Sequence, residues 1–115
     1  MPTPLNFGDV VTVTFIGATG MKRRPAVIVS SDVYHQTRPD VIIGLLTTQV
    51  ASATHPTDYL LQDTAIAGLR FPSAFRTYLN MVLPSELTVV GHLSSRDEKG
   101  VQASLALAFG LPVPP

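Results

Sequence analysis

Lys22-Arg23-Arg24-Pro25-Ala26-Val27-Ile28-Val29-Ser30-Ser31 sets three cations at the mouth of an uninterrupted apolar run. The run is rich in β-branched residues and reads as a buried strand. Proline has no amide hydrogen to donate, so Pro25 reads as the first residue of that strand. It also biases Arg24 toward extended geometry. Ahead of it, residues 16–23 read as a flexible loop around Gly17-Ala18-Thr19-Gly20. The expectation is a guanidinium at the rim of a rigid sheet beside an adaptable loop, as a binding site requires. The alternative is a hairpin turn that its basic residues keep wet.

Outward from this stretch, the chain breaks into short strands. Gly8-Asp9 makes a turn. Val10 to Phe15 alternate, with Val11, Val13 and Phe15 on one side and Thr12 and Thr14 on the other. Residues 31–40 are polar and suit one short helical turn followed by a loop. Val41 to Thr48 read as a second buried strand ending on hydroxyls, and 49–56 as a polar loop. Asp58 to Leu61 is a short strand candidate, and residues 63–70 suit a helical turn. Ala74 to Leu83 reads as a strand whose pattern Asn80 interrupts. After a turn at 84–86, Leu87 to Leu93 gives a last strand with Gly91 as a candidate bulge. Ser95-Arg96-Asp97-Glu98 fits a capping box, with Ser95 as N-cap and Glu98 reaching back. A helix then runs to about Phe109, stopped by Gly110, with Val101, Leu105 and Ala108 on one face. Several short strands and one terminal helix are solved most economically by a small, strongly curved β-barrel closed by that helix.

With 115 residues, a single domain is expected, with 1–6 as a loose lead-in and 111–115 as a tail. Charged residues make up only 14%, below the roughly 25% of ordinary soluble domains. Part of the surface is therefore expected to be covered in an oligomer or complex. The apolar Leu105 to Leu111 segment points the same way. Net charge is zero, so any anion binding must come from local clusters. The chain has no cysteine, hence neither disulfide nor thiolate zinc site. Met1 to Leu5 lack the charged and apolar regions of a signal peptide, and no stretch approaches the roughly 20 apolar residues of a membrane helix. A cytoplasmic protein is the default expectation.

Chemistry is narrowed further by motif. His35, His55 and His92 stand apart from one another, without the paired spacing of zinc ligands, and read as solvated or structural histidines. Acidic residues are scattered, so neither metal nor cofactor is expected. Gly17-x-x-Gly20 lacks the Gly-Lys-Ser/Thr of a phosphate loop. What remains are cations and hydroxyls at strand ends: Lys22, Arg23, Arg24, Thr47, Thr48, Gln49, Arg70, Ser73, Arg76, Thr77 and Tyr78. Guanidinium binds phosphate bidentately. Phe71, Phe75 and Tyr78 interleave with Arg70 and Arg76, a mix suited to single-stranded nucleic acid. Core packing is the competing reading for Phe71 and Phe75.

Four motifs in order resemble the MazF/PemK (Kid-like) toxins of toxin–antitoxin modules: Gly8-Asp9-Val10-Val11, Arg24-Pro25-Ala26-Val27-Ile28-Val29, Leu46-Thr47-Thr48-Gln49, and Pro72-Ser73 followed by Gly91-x-Leu93-Ser94 and the terminal helix. The similarity covers roughly residues 7–111. It implies an SH3-like antiparallel β-barrel of the CcdB/MazF kind, mainly β with a C-terminal α-helix. It implies a homodimeric, metal-independent, sequence-specific endoribonuclease acting on single-stranded mRNA. It also implies a MazE/PemI-like antitoxin as partner and, with it, operator DNA. By similarity Arg24 and Thr47 fall on catalytic positions, with Arg76 matching a further family arginine. Lys22, Arg23, Thr48, Gln49, Ser73 and Tyr78 are the substrate-binding candidates.

The chain departs from the family at two places, the first being the loop before the Arg-Pro strand, where some members carry a glutamate and residues 16–23 hold no acid. At the second, Kid-type toxins carry an aspartate two residues beyond the Arg76 position, and here that residue is Tyr78. Arginine stays protonated and a phenol has an ordinary pKa near 10, so neither is a ready base at neutral pH. The departure at Tyr78 motivates a second reading: a toxin that binds nucleic acid without cutting it, or inhibits a topoisomerase as CcdB-like proteins do.

Overall fold

The computed structural model describes residues 4–17 and 20–113. Six strands form one antiparallel sheet, curled into a half-barrel: β1 (Asp9–Gly17), β2 (Gly20–Ile28), β3 (Val41–Thr47), β4 (Tyr59–Leu60), β5 (Ala74–Val82) and β6 (Leu87–His92). Their order across the sheet is β4-β5-β3-β2-β1-β6. A short helix, α1 (Asp32–Thr37), joins β2 to β3, and α2 (Ser95–Phe109) follows β6. The expected fold class, mainly β with a terminal helix, is the one observed.

Alternation along the strands divides the apolar residues between two faces. Val10, Val27, Leu46 and Phe75 meet Leu61, Ala67, Leu93 and the α2 residue Val101 in one cluster. Val11, Val13, Ala26, Ile28, Val41 and Ile43 form the other. Because both faces of the central strands are covered, those strands read as continuous apolar runs. Val11 and Val13 share a face as expected, while the Phe15 side chain lies outside the described residues. Phe75 is fully buried, contributing about 2–3 kcal/mol. Gly44 makes room for it, since a Cβ there would run into the Phe75 ring.

The opening stretch is more regular than its sequence implies. β1 and β2 form one long hairpin, paired from Val10↔Val27 out to Gly17↔Gly20. The expected loop over 16–23 shrinks to its tip, where residues 18–19 lie outside the described residues. Pro25 sits inside β2, opposite Thr12, and not at its start. It is tolerated because β3 pairs only with Ala26, Val27 and Ile28. At Pro25 the ladder on that side has ended, and no donor is needed.

Further expectations change at the last strand and helix. The N-cap of α2 is Ser94, whose hydroxyl accepts from the Asp97 amide at 3.3 Å, and not Ser95. Glu98 turns to His92 Nε2 (3.1 Å) instead of back to the cap. The buried side of α2 carries Asp97, Val101 and Ser104 at i, i+4, i+7, while Ala108 is exposed. Gly110 ends the helix in the left-handed conformation (φ 69°), as expected. Residues 63–69 make the single turn expected there, with Ala67 N–H to Asp63 C=O (3.4 Å) and Leu69 N–H to Thr64 C=O (3.0 Å). This turn packs on β6, where a Cβ at Gly91 would collide with the Ala67 carbonyl group. The register of β6 against β1 also shifts there, between Val10 and Val11. Among the described residues, no helix is long and apolar enough to cross a membrane.

Asp97 ties α2 to the strands. Fully buried, it accepts from Tyr59 Oη (2.7 Å), the Gln62 amide (2.9 Å) and the Asp63 amide (2.9 Å). Burial, followed by the bond to Asp97, pushes the Tyr59 phenol up to about 12. Next to it, the Arg96 guanidinium and then the Ser94 hydroxyl hold Asp63 down at about 2. Replacing Asp97 by Asn turns an amide NH₂ toward one donor and removes the charge the others face. Asp97→Asn is expected to cost about 3 kcal/mol in urea denaturation.

His92 makes a second tie, to Asp9 Oδ1 (2.8 Å) and Glu98 Oε1 (3.1 Å). The Asp9 bond, reinforced by Glu98 and opposed by burial, raises its pKa above 6.5. The folded state therefore holds this proton more tightly than the unfolded chain. The stabilisation is complete below pH 6.5 and is lost as pH rises through the folded pKa. Denaturation midpoints are expected to fall across that window in the parent protein, and His92→Gln is expected to flatten the dependence.

Candidate active site

The cavity opens where β2 leaves β3. It measures about 580 Å³, with Leu45 and Leu46 among its apolar lining and Arg24, Thr47, Arg76 and Tyr78 among its polar lining. Arg24 lies just beyond the last β2–β3 pair, Ala26↔Leu45, on the Ala26 face of the strand. Thr47 closes β3. Its Oγ1 accepts the Gln49 amide at 3.1 Å, which fixes the side chain and leaves its own hydrogen free to be donated.

A bulge in β5 supplies the opposite wall. Gly44 pairs with Leu79 and Leu46 with Phe75, so Arg76, Thr77 and Tyr78 stand opposite Leu45 alone. All three line the cavity. Phe75, one residue earlier, points into the core, so the packing reading holds for that ring. Phe71 and Tyr78 are exposed.

Sequence reasoning missed the third wall. The turn between β3 and β4 carries His55, Thr57 and Asp58 into the cavity. Asp58 N–H donates to His55 C=O (2.9 Å), and Asp58 Oδ2 accepts the His55 amide (3.1 Å). The same oxygen lies 3.3 Å from His55 Nδ1, and Oδ1 lies 3.5 Å from Arg76 Nε. The Asp58 side chain is 6% exposed and that of His55 is 68% exposed. Arg76 Nη2 also approaches His55 Nδ1, at 3.5 Å. One ring nitrogen cannot both donate and accept through the same position, and the carboxylate charge favours a hydrogen on Nδ1. Asp58 is thus a carboxylate partner for Arg76, brought from another element of the fold. The His-x-x-Asp spacing in a Pro-bearing turn was the available signal.

The other candidates lie elsewhere. Arg23 points to the opposite face of β2 from Arg24, where it donates to Thr14 Oγ1 (3.1 Å) and Thr88 Oγ1 (2.7 Å). Lys22 is exposed further along the hairpin. Thr48 and Gln49 are exposed beyond the end of β3 and do not line the cavity. Ser73 is buried, and its hydroxyl donates to Phe71 C=O (2.9 Å). Among the described residues, no three His, Cys, Asp or Glu side chains are grouped to hold a metal ion.

Two guanidinium groups, one fixed hydroxyl and one imidazole around an open cavity define a β-protein equipped to hold an anion such as a phosphodiester. Residues 6–109 match the family of PemK-like, MazF-like toxins of type II toxin–antitoxin systems, and the chain belongs to that family. Solved structures share its fold. An endoribonuclease in complex with its cognate antitoxin from Mycobacterial species is 24% identical, with 97% of this chain and 100% of that one covered and a TM-score of 0.76. A MazE–MazF structure from Deinococcus radiodurans is 17% identical over 96% of this chain and 100% of that one, at TM-score 0.72. The toxin MazF-mt6 of Mycobacterium tuberculosis is 20% identical over 90% and 98%, at 0.71. At these identities the likeness is one of fold. No curated protein gives a match.

Proposed function

We propose that this toxin is an endoribonuclease that cuts single-stranded mRNA without a metal ion. The observation that carries the reading is the convergence of Arg24, Thr47 and Arg76 on one cavity. The ribose 2′-oxygen bonds to the adjacent phosphorus, and the phosphorus–O5′ bond breaks. The products are a 2′,3′-cyclic phosphate and a 5′-hydroxyl. Arg24 grips the phosphate and stabilises charge building on its non-bridging oxygens. Thr47 donates to the same oxygens with the hydrogen its turn leaves free. Arg76, fixed by Asp58, adds a second cation on the facing wall. Tyr78, exposed at the same wall, offers a ring on which a base can stack.

Family membership and the likeness in fold to solved endoribonucleases, one with its antitoxin, support the reading. On this reading the toxin works in the cytoplasm as a homodimer. Exposed Leu107, Phe109 and Leu111 give it apolar surface to cover. An antitoxin segment blocks RNA by occupying the Arg24 cavity, and the pair binds operator DNA. Lys22 contacts the RNA backbone outside the cavity, and Thr48 and Gln49 contact it beyond the end of β3.

Arg24→Ala and Thr47→Ala are each expected to lower cleavage of bulk mRNA in EDTA by about 10²-fold or more. Thermal unfolding should stay unchanged, and Thr47→Ser should retain activity. Mapping of the cut ends should show 5′-hydroxyls. Intact RNA after incubation with wild-type protein freed of antitoxin overturns the reading. Inhibition of a topoisomerase by the same preparation then favours the non-cutting alternative.

A further inference from the structure

We propose that His55 is the general base of this cleavage and that Asp58 positions it. The inference rests on the endoribonuclease reading above and supplies its missing proton acceptor. A base must lie at the cavity, carry a free lone pair and exchange protons near neutral pH. Guanidinium groups stay protonated, so Arg24 and Arg76 can only bind charge. Asp58 faces the cavity, but its side chain is 6% exposed and both its oxygens are engaged, Oδ2 by His55 and Oδ1 by Arg76. Imidazole is the side chain whose ordinary pKa falls between 5 and 8.

The turn prepares His55 for the task. The Asp58 amide bonds back to the His55 carbonyl, and Oδ2 faces both the His55 amide and Nδ1. A carboxylate facing Nδ1 selects the tautomer with the hydrogen there, which leaves the lone pair on Nε2. Among the described residues, Nε2 has no hydrogen-bond partner. The ring is 68% exposed, so a ribose can reach it. Arg76 on β5 holds the other oxygen of Asp58, and Arg24 on β2 and Tyr78 on β5 face the same space.

In the step itself, Nε2 takes the proton of the 2′-hydroxyl as the 2′-oxygen bonds to phosphorus. The phosphorus–O5′ bond breaks, and O5′ takes a proton from a solvent water. The resulting hydroxide removes the proton from the imidazolium, which Asp58 stabilises while it lasts. Atoms and charge balance without a further reagent.

The probe is an RNA oligonucleotide spanning the strongest cut mapped in bulk mRNA, with an analogue carrying 2′-deoxyribose at the cut for binding. His55→Ala should slow single-turnover cleavage by about 10²–10⁴-fold. Its affinity for the deoxy analogue should stay within about threefold of the parent, as expected for a proton acceptor. The acid-side fall of the pH–rate profile should disappear with the ring, and free imidazole should restore part of the rate. Asp58→Asn should lower the single-turnover rate at saturating RNA by about 10-fold or more, and Asp58→Glu should recover part of it. The ring is exposed, so thermal unfolding of His55→Ala should match the parent. Cleavage by His55→Ala within about threefold of the parent, or a loss of binding in step with rate, overturns the base assignment. Arg24→Ala separates the two levels. If it is inactive while His55→Ala cuts normally, only the base falls. If the wild-type protein cuts nothing, the nuclease reading falls with it.

Discussion

Pro25 cannot donate a hydrogen bond, and it stands where the β2–β3 ladder ends and the site begins. β3 pairs with β2 only from Ala26 onward. A residue with an amide at position 25 could extend the ladder toward Thr47 and draw the two strands together. With proline there, β2 continues along β1 alone, and the space beside it becomes the cavity. Arg24 is the first side chain past the break on the cavity face, and Thr47 ends the strand that β2 has left. The same residue that stands at the end of the pairing also places the cation, since proline holds its predecessor extended.

Much of this was legible in the sequence, for local reasons. Val27 and Ile28 in β2 and Ile43 and Leu46 in β3 mark central strands because both faces of the sheet are covered. Gly110 stops α2 through a conformation that costs glycine nothing. Arg24, Thr47, Arg76 and Tyr78 all line one cavity, although only Thr47 stands at a strand end; Arg24 lies within β2, and Arg76 and Tyr78 in the β5 bulge. What escaped were features decided at long range. His55 looks like any solvated loop histidine until Asp58 and Arg76 are seen beside it. The shift of the N-cap to Ser94 follows from Asp63 and Asp97, whose partners are more than thirty residues apart. Ser73 reads as a hydroxyl for substrate, but the chain folds its Oγ onto Phe71 C=O. Residues 20–23 read as loop because of their glycine and cations, yet pairing with β1 overrides that preference.

Carboxylates organise the two halves of the molecule differently. Asp97 is fully buried and serves donors from Tyr59, Gln62 and Asp63. It holds α2 against the strands and so supports the first core cluster from outside the sheet. Asp58 is nearly buried, but its partners face the cavity. The short β4 runs directly from one system toward the other, since Tyr59 follows Asp58 in the chain and reaches Asp97. Through this adjacency, the helix that completes the fold also steadies the turn that lines the site.

The β5 bulge has a consequence for how such a site can vary. Three residues, Arg76, Thr77 and Tyr78, face one residue of β3, so the bulge carries two more residues than a regular ladder. An even excess preserves the alternation of the strand, and Phe75 and Leu79 remain on the same side of the sheet. The wall of the cavity is thus an insert whose chemistry is separated from the packing that surrounds it. Its side chains can change without moving a core residue to the wrong face, whereas gain or loss of a single residue there would invert one end of β5. The arrangement lets recognition drift on a fixed scaffold.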